Sequence, residues 1–290
     1  MPTLKEIKGR IASVKSTLKI TSAMKLVSSA KLRKAQAAIE NMRPYEQQLQ
    51  RMLASASVEA YAPVMPDPDR ASPAPRVILA IASNSSLCGG FNANAISRVR
   101  KTRRSGDIVY SIGRKMADAM RKDGFLSPED YTALSEHPAY APCAQLVERL
   151  SEDFAAGRIG EVLLVYNHFV STARQEPVVE RLLPSGEAAP AGAKISADAP
   201  AGAASPSDAI IEPSPSELLA ILLPKTLKLK LYAALLGSAA AEHAARTVAM
   251  QAATDNGNQL LEELTLQYNK GRQQKITNEI LDLAAGSAAK

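Results

Sequence analysis

Apolar residues near the start of the chain alternate at intervals of three and four: Leu4, Ile7, Ile11, Val14 and Leu18. That spacing is the seam of a coiled coil, and it predicts a helix over residues 3–43, a span without proline. Past Leu18 the pattern changes. Ile20, Met24 and Val27 sit on a shifted face, while the original seam carries Thr21, Lys25 and Ser28 before Leu32, Ala35, Ile39 and Met42 resume it. Such a shift is expected to change the supercoil locally. Residues 225–290 also lack proline and predict one continuous helix. Its seam begins small, with Ala239, Ala240, Ala241, Ala244, Ala245, Ala249, Ala252 and Ala253, and continues through Leu260, Leu261, Leu264, Tyr268, Ile276, Ile280 and Leu283. Alanine lets helices approach closely and has the highest helix propensity, so a thin, stiff rod is expected.

A helix of about 60 residues extends roughly 90 Å, more than twice the width of an ordinary domain, and needs a partner along its length. The N-terminal helix, running antiparallel, is the first partner: the chain leaves, folds a domain and returns. The longer C-terminal helix is expected to project beyond it and to need another protein around it. A helical hairpin serving as a spacer fits the same periodicity.

Between the helices the pattern switches to strands. A proline-rich break over residues 63–75 closes the first arm. Residues 76–83, 107–112, 161–168 and 177–183 then read as strands, and residues 92–104, 114–123 and 141–156 as helices between them, which implies a partly parallel, covered sheet. From 184 to 215 the chain turns to Ala, Pro, Gly and Ser and predicts a loop. The organisation expected is α/β: a long antiparallel coiled coil of N- and C-terminal helices plus a central Rossmann-like α/β domain. Its parts are residues 1–62, 74–183, 184–215 and 216–290, the last pairing with the first.

Charge changes the picture by its distribution. The formal net charge is +6; residues 1–51 carry eleven Lys or Arg against three acids and residues 225–290 eight against six, which leaves −4 for the middle. Basic helices suit phosphates, an acidic protein cavity or plain solvation. No aromatic interleaves the cations between Lys5 and Lys34, so stacking on nucleic-acid bases has no platform there. Only 4% of residues are aromatic and Trp is absent, which suits elongated helices more than one large core. Cys88 and Cys143 have neither metal-ligand nor disulfide-framework spacing and suggest a reducing compartment. Lysines and Arg10 interrupt any apolar run near the start, so no signal peptide is expected. Pro224, Lys225, Lys228 and Lys230 break the best transmembrane candidate, so membrane contact is expected only through partners.

Candidate chemistry is sparse. Residues 83–92, SNSSLCGGFN, form a small-residue turn between a strand and a helix, where backbone N–H groups can meet a phosphate. Neither nucleotide-loop motif is present, and glycines serving a tight turn explain the sequence better. His137, His168 and His243 lie apart, without ligand spacing. Neither cysteine has a histidine beside it, and Glu262 and Glu263 point to different helix faces. These residues suggest an interaction protein with no cofactor and no metal.

Four segments carry a more specific likeness: KITSAMKLVSSAKLRKAQ (residues 19–36), LCGGFN (87–92), AARTVAMQAATDNGNQL (244–260) and YNKGRQQKITNEI (268–280). In this order they resemble the gamma-subunit family of F-type ATP synthases, and they span nearly the whole chain. The resemblance implies a non-catalytic central rotor shaft. Its terminal helices would stand inside a hexamer of alpha and beta subunits, and its α/β domain would form a foot with the epsilon subunit on the membrane ring of c subunits. It would couple proton or sodium flow to ATP synthesis or hydrolysis at the cytoplasmic face of the inner membrane. A basic coiled coil associated with nucleic acid is the alternative; the shaft reading involves none.

Residue by residue, the resemblance places Met24 against the acidic lever region of a beta subunit, with Arg246 nearby on the C-terminal helix. Arg272, Gln273 and Thr277 match an upper polar group touching catalytic-subunit loops, and Glu212 matches a foot position near the c ring. Three features depart from the family. Asn84, Ser85 and Ser86 replace a charged Asp-Arg-Gly or Asp-Lys-Gly; Gly271 replaces an alanine beside Arg272, at about 1 kcal/mol of helix propensity; and the low-complexity loop over 184–215 is unlike the family's compact version.

Overall fold

The computed structural model describes residues 3–55, 74–184 and 214–288. They form α1 (Leu4–Ser55), β1 (Arg76–Ile81), α2 (Phe91–Thr102), β2 (Ile108–Ile112), α3 (Arg114–Lys122), α4 (Thr132–Glu136), α5 (Tyr140–Ala155), β3 (Glu161–Phe169), β4 (Gln175–Leu183) and α6 (Pro215–Ala288). The proline-rich break and most of the low-complexity stretch fall outside the described residues. The chain divides into two units, one of Met1–Ala30 with Arg246–Lys290, the other of Lys31–Ala245.

In the first unit α1 begins on a capping box. Glu6 N donates to Thr3 Oγ1 at 3.3 Å and Thr3 N donates to Glu6 Oε2 at 2.8 Å, which satisfies two N–H groups that the helix leaves unpaired. Here α1 and α6 run antiparallel. Thr21 meets Thr254, Leu18 lies over Gly257 and Leu4 over Gly271, so each step back along α1 is matched by an equal step forward along α6. A Cβ at Gly257 would stand 2.7 Å from Leu18 Cδ2, and one at Gly271 3.1 Å from Leu4 Cδ2. The departure at Gly271 thus makes room for a leucine. Ile7, Met250 and Leu264 are buried in this unit.

The seam differs from the expected shift. Thr21 and Ser28 are buried, while Ile20 and Val27 are 58% and 57% exposed. The seam keeps its register and changes chemistry, because hydroxyls can bond within the helix pair: Ser28 Oγ donates to Met24 O at 2.8 Å. The apolar residues displaced from it face outward.

The second unit is built on a sheet of order β2-β1-β3-β4, parallel except for the antiparallel edge pair β3–β4. β1 and β3 are almost wholly buried apolar runs, as strands covered on both faces must be. α2 and α3 cover one face through Ala95, Val99, Met116 and Met120. α5 and α6 cover the other through Leu146, Leu150, Leu231 and Leu235. The short α4, which carries no long apolar period, is absent from the sequence reading.

Both long helices run through prolines that signal a break, Pro44 in α1 and Pro224 in α6. Each proline forfeits a bond to the carbonyl four residues earlier, on Glu40 and Ala220, and in both cases the proline and that residue are exposed, so water takes the freed carbonyl. Beside them Leu49, Leu222 and Leu229 are buried in one cluster. At about 1.5–3 kcal/mol per buried leucine, this is comparable to a cost of about 3 kcal/mol at each proline.

Candidate functional site

The strand-to-helix turn was the sequence's best candidate for a ligand site, and its side chains close it. Asn92 Oδ1 accepts from Ser83 N at 3.0 Å, Asn92 Nδ2 donates to Ser85 O at 3.3 Å, and Ser83 Oγ donates to Ser85 O at 2.6 Å. Leu87 has φ 66° and Gly89 φ 56°, and this left-handed path carries Cys88 inward. Cys88 and Phe91 then pack against Ala241 and Ala245 of α6, with Phe169 beside them. Alanines thus fill the crevice beyond the β1 end where a doubly wound sheet ordinarily takes its ligand.

Asn84, one of the departures from the family pattern, has a definite task. Its Oδ1 accepts from Arg114 N and its Nδ2 donates to Thr132 O, both at 3.0 Å, joining the start of α3 to the start of α4. An aspartate there accepts but cannot donate.

Remaining candidate chemistry is enclosed. Cys143 is fully buried, and burial pushes its thiol up to about 12; Cys88 is also buried. Among the described residues no group of three or more His, Cys, Asp or Glu is placed to hold a metal ion. Burial, with Glu129 as hydrogen-bond partner, raises the Tyr131 hydroxyl to about 12. Arg149 bonds both Glu129 and Tyr131, and this cluster fixes the α4 side of the unit.

The other candidates lie on the helix pair of the first unit. Met24 is half-buried, next to exposed Leu26 and Val27, with Ile20 one turn earlier. Arg272, Gln273 and Thr277 are exposed; Thr277 Oγ1 donates to Gln273 O at 2.9 Å, so its hydroxyl is turned to its own helix. Ile276, Ile280, Leu281 and Leu283 are exposed around them. Arg246 differs from an exposed contact residue: it is only 8% exposed. Glu212 lies outside the described residues. The structure therefore groups Arg272, Gln273 and Thr277 on one stretch of α6, sets Met24 among apolar neighbours on α1, and buries Arg246. Sequence reasoning missed Ile20, Leu26 and Val27 as outward residues; for Ile20 and Val27 the signal was a displacement by one position from the buried Thr21 and Ser28. No described helix is long and apolar enough to cross a membrane.

The ATP synthase family profile matches residues 3–289. The ATP synthase gamma chain of Bacteroides fragilis strain ATCC 25285 is 46% identical over 300 residues, covering 100% of both chains. That of Flavobacterium johnsoniae is 40% identical over 295 residues, covering 100% of this chain and 99% of the other. Among solved structures, a chain of the Euglena gracilis mitochondrial ATP synthase (OSCP/F1/c-ring, rotational state 3) aligns with a TM-score of 0.64 at 16% identity, over 99% of this chain and 94% of that one. A chain of the Tetrahymena thermophila mitochondrial ATP synthase central stalk and c-ring gives 0.56 at 21% identity, over 81% and 99%. At these identities the structures establish a shared fold.

Proposed function

We propose, because this chain belongs to the ATP synthase family as one of its gamma chains, that it is the central-stalk rotor, with the paired ends of α1 and α6 as shaft and the α/β unit as foot. The shaft turns inside a hexamer of alpha and beta subunits, and the foot stands with the epsilon subunit on the membrane c ring. Membrane anchorage comes through that ring, at the cytoplasmic face. The domain bounds 1–62, 74–183, 184–215 and 216–290 follow this division of labour.

The observation that carries this reading is the row of apolar residues left outside a satisfied seam. Ile20, Leu26 and Val27 are exposed although buried Thr21 and Ser28 complete the helix pair. Exposed apolar rows mark surfaces made for a partner. A partner that encloses the shaft loosely can meet these residues on one side at a time. Met24 would face the beta-subunit lever, with Arg246 nearby on α6; Arg272, Gln273 and Thr277 would face catalytic-subunit loops, and Glu212 would serve the c-ring side. Coupling needs no catalytic group on this chain. Each angular position need only favour one beta-subunit conformation over another, because unequal contact shifts populations. The catalytic sites then lie on the partners, and a closed strand-to-helix turn fits that assignment.

Affinity purification from cells through a tag on this chain tests it. The expected result is a complex with two larger nucleotide-binding subunits that hydrolyses ATP. Recovery of the chain alone, or with nucleic acid in their place, would overturn the rotor reading.

A further inference from the structure

Charge in the α/β unit is sorted by face. Residues 91–125 carry nine Lys or Arg against three Asp, a net +6 inside a middle region that totals −4. The segment contains α2 and α3, which lie side by side on one face of the sheet. Their C-terminal ends meet. Arg100 Nε and Nη2 donate to the two Asp123 oxygens at 2.8 and 2.9 Å, Arg103 Nη2 adds a bond at 3.2 Å, and the Arg103 guanidinium lies 4.5 Å from the centre of the Phe125 ring. One carboxylate thus answers two arginines and fixes the two helix ends together; the pairing holds Asp123 below the usual carboxylate range, chiefly through the hydrogen bond from Arg100.

Arg98, Lys101, Arg104 and Lys122 stay exposed around this anchor, outside the ion pairs that Asp123 and Asp118 form. Compensation of helix dipoles does not account for them. The α2 end already has its cation, Arg76, whose Nη2 donates to Thr102 O at 3.2 Å, and the α3 end closes on backbone bonds from Asp123 and Gly124. Directly after Phe125 comes Leu126, 75% exposed. The cluster sits where the parallel strands begin, since Arg76 opens β1; the turn packed against Ala241 and Ala245 follows the other end of that strand.

We propose that this α2–α3 face docks onto the anionic phospholipid headgroups of a membrane. Forked guanidinium donors match phosphate geometry, and an exposed leucine on the same basic segment suits the boundary between headgroup and acyl chain. An acidic protein surface would match the charge and leave Leu126 unexplained. The net negative remainder of the middle region is repelled by the same membrane, so the contact is oriented. The inference rests on the reading of the α/β unit as the foot of a stalk on a membrane ring, and adds a direct lipid contact to anchorage through that ring.

The test uses the assembled soluble complex of this chain with its alpha, beta and epsilon subunits, without the c ring. Co-sedimentation is measured with vesicles of phosphatidylcholine alone and of phosphatidylcholine with phosphatidylglycerol, at low and high salt. A cation near an anionic bilayer is worth about fivefold in affinity, so the triple variant Arg98→Gln, Lys101→Gln, Arg104→Gln is expected to lose about a hundredfold. Neutralising Arg158 and Arg174, elsewhere on the unit, is expected to change binding little. Wild-type complex is expected to bind only the anionic vesicles and to release them as salt rises. Equal binding to both vesicle types, salt-independent binding, or equal loss in the control variant would overturn the lipid contact. So would an intact complex that binds neither, which would leave an acidic protein as occupant. A chain that joins no such complex removes the stalk reading, and the lipid contact falls with it.

Discussion

Thr21 Oγ1 lies 2.9 Å from Thr254 Oγ1, one hydroxyl from each strand of the antiparallel helix pair. Thr254 Oγ1 is also 2.8 Å from Met250 O, and a hydroxyl has one proton. When Thr254 gives that proton to its own helix, Thr21 donates across the seam. Three residues back along α1 and three forward along α6, Leu18 covers Gly257, so a polar clasp and a leucine socket fix the same register side by side.

The clasp is therefore expected to set register more than to add strength. Thr21→Val or Thr254→Val should each lower stability by about 1 kcal/mol, and the double variant by less than the sum. Chemical unfolding of the full chain in a double-mutant cycle measures this. Strict additivity would mean that the two hydroxyls do not interact.

Gly113 tolerates no side chain without strain. With φ 102°, it would place an added Cβ 2.1 Å from Ala82 O, a backbone atom that Ser135 Oγ already binds at 2.7 Å. Gly113→Ala is expected to cost more than about 3 kcal/mol, through a strained backbone and a displaced β1 end. Thermal unfolding is the check; wild-type stability would show that the turn has another conformation.

β1, β2 and β3 were legible because each is a largely apolar run bounded by turn residues, whereas the short α4 has too few residues to show a period. The prolines at 44 and 224 misled because a local rule assumes that a freed carbonyl is stranded, and here water reaches it. Burial of Thr21 in place of Ile20 was not legible: periodicity ranks residues by hydrophobicity, and it cannot know that a partner outside the chain claims the apolar face. Arg272 and Gln273 came from family likeness alone, since nothing in their spacing distinguishes them from a solvated helix face.

Alkaline pH should unfold the α/β unit early. Burial raises the Cys143 thiol to about 12, above an unfolded value of about 8.5, so the folded state keeps a proton that the unfolded state loses. Tyr131, raised from 10 to about 12, acts in the same sense. The contribution of Cys143 is complete below about pH 8.5 and is lost as pH climbs towards 12, at up to about 1.4 kcal/mol per pH unit. Denaturant midpoints across this range should fall, and fall less in Cys143→Ala. An identical decline in that variant would assign the effect elsewhere.

Arg272 and Gln273 are exposed and lie outside the seam of buried residues, so changing both to alanine should leave assembly intact. A forked donor and an amide that both donates and accepts suit a contact that forms and releases once per catalytic subunit, worth about 1–3 kcal/mol when engaged. Steady-state ATP hydrolysis by the complete complex is expected to drop several-fold at normal subunit stoichiometry. Undiminished turnover would remove the pair from coupling, and failed assembly would make them structural.

Rotation itself is the central claim. Both native cysteines are buried, so Ser105→Cys, in an exposed turn of the α/β unit, provides a distinct site for a probe. With the hexamer fixed to a surface and a bead on that cysteine, ATP is expected to drive the bead in one sense, in discrete steps. A complex that hydrolyses ATP at its usual rate while the bead stays still would contradict the account.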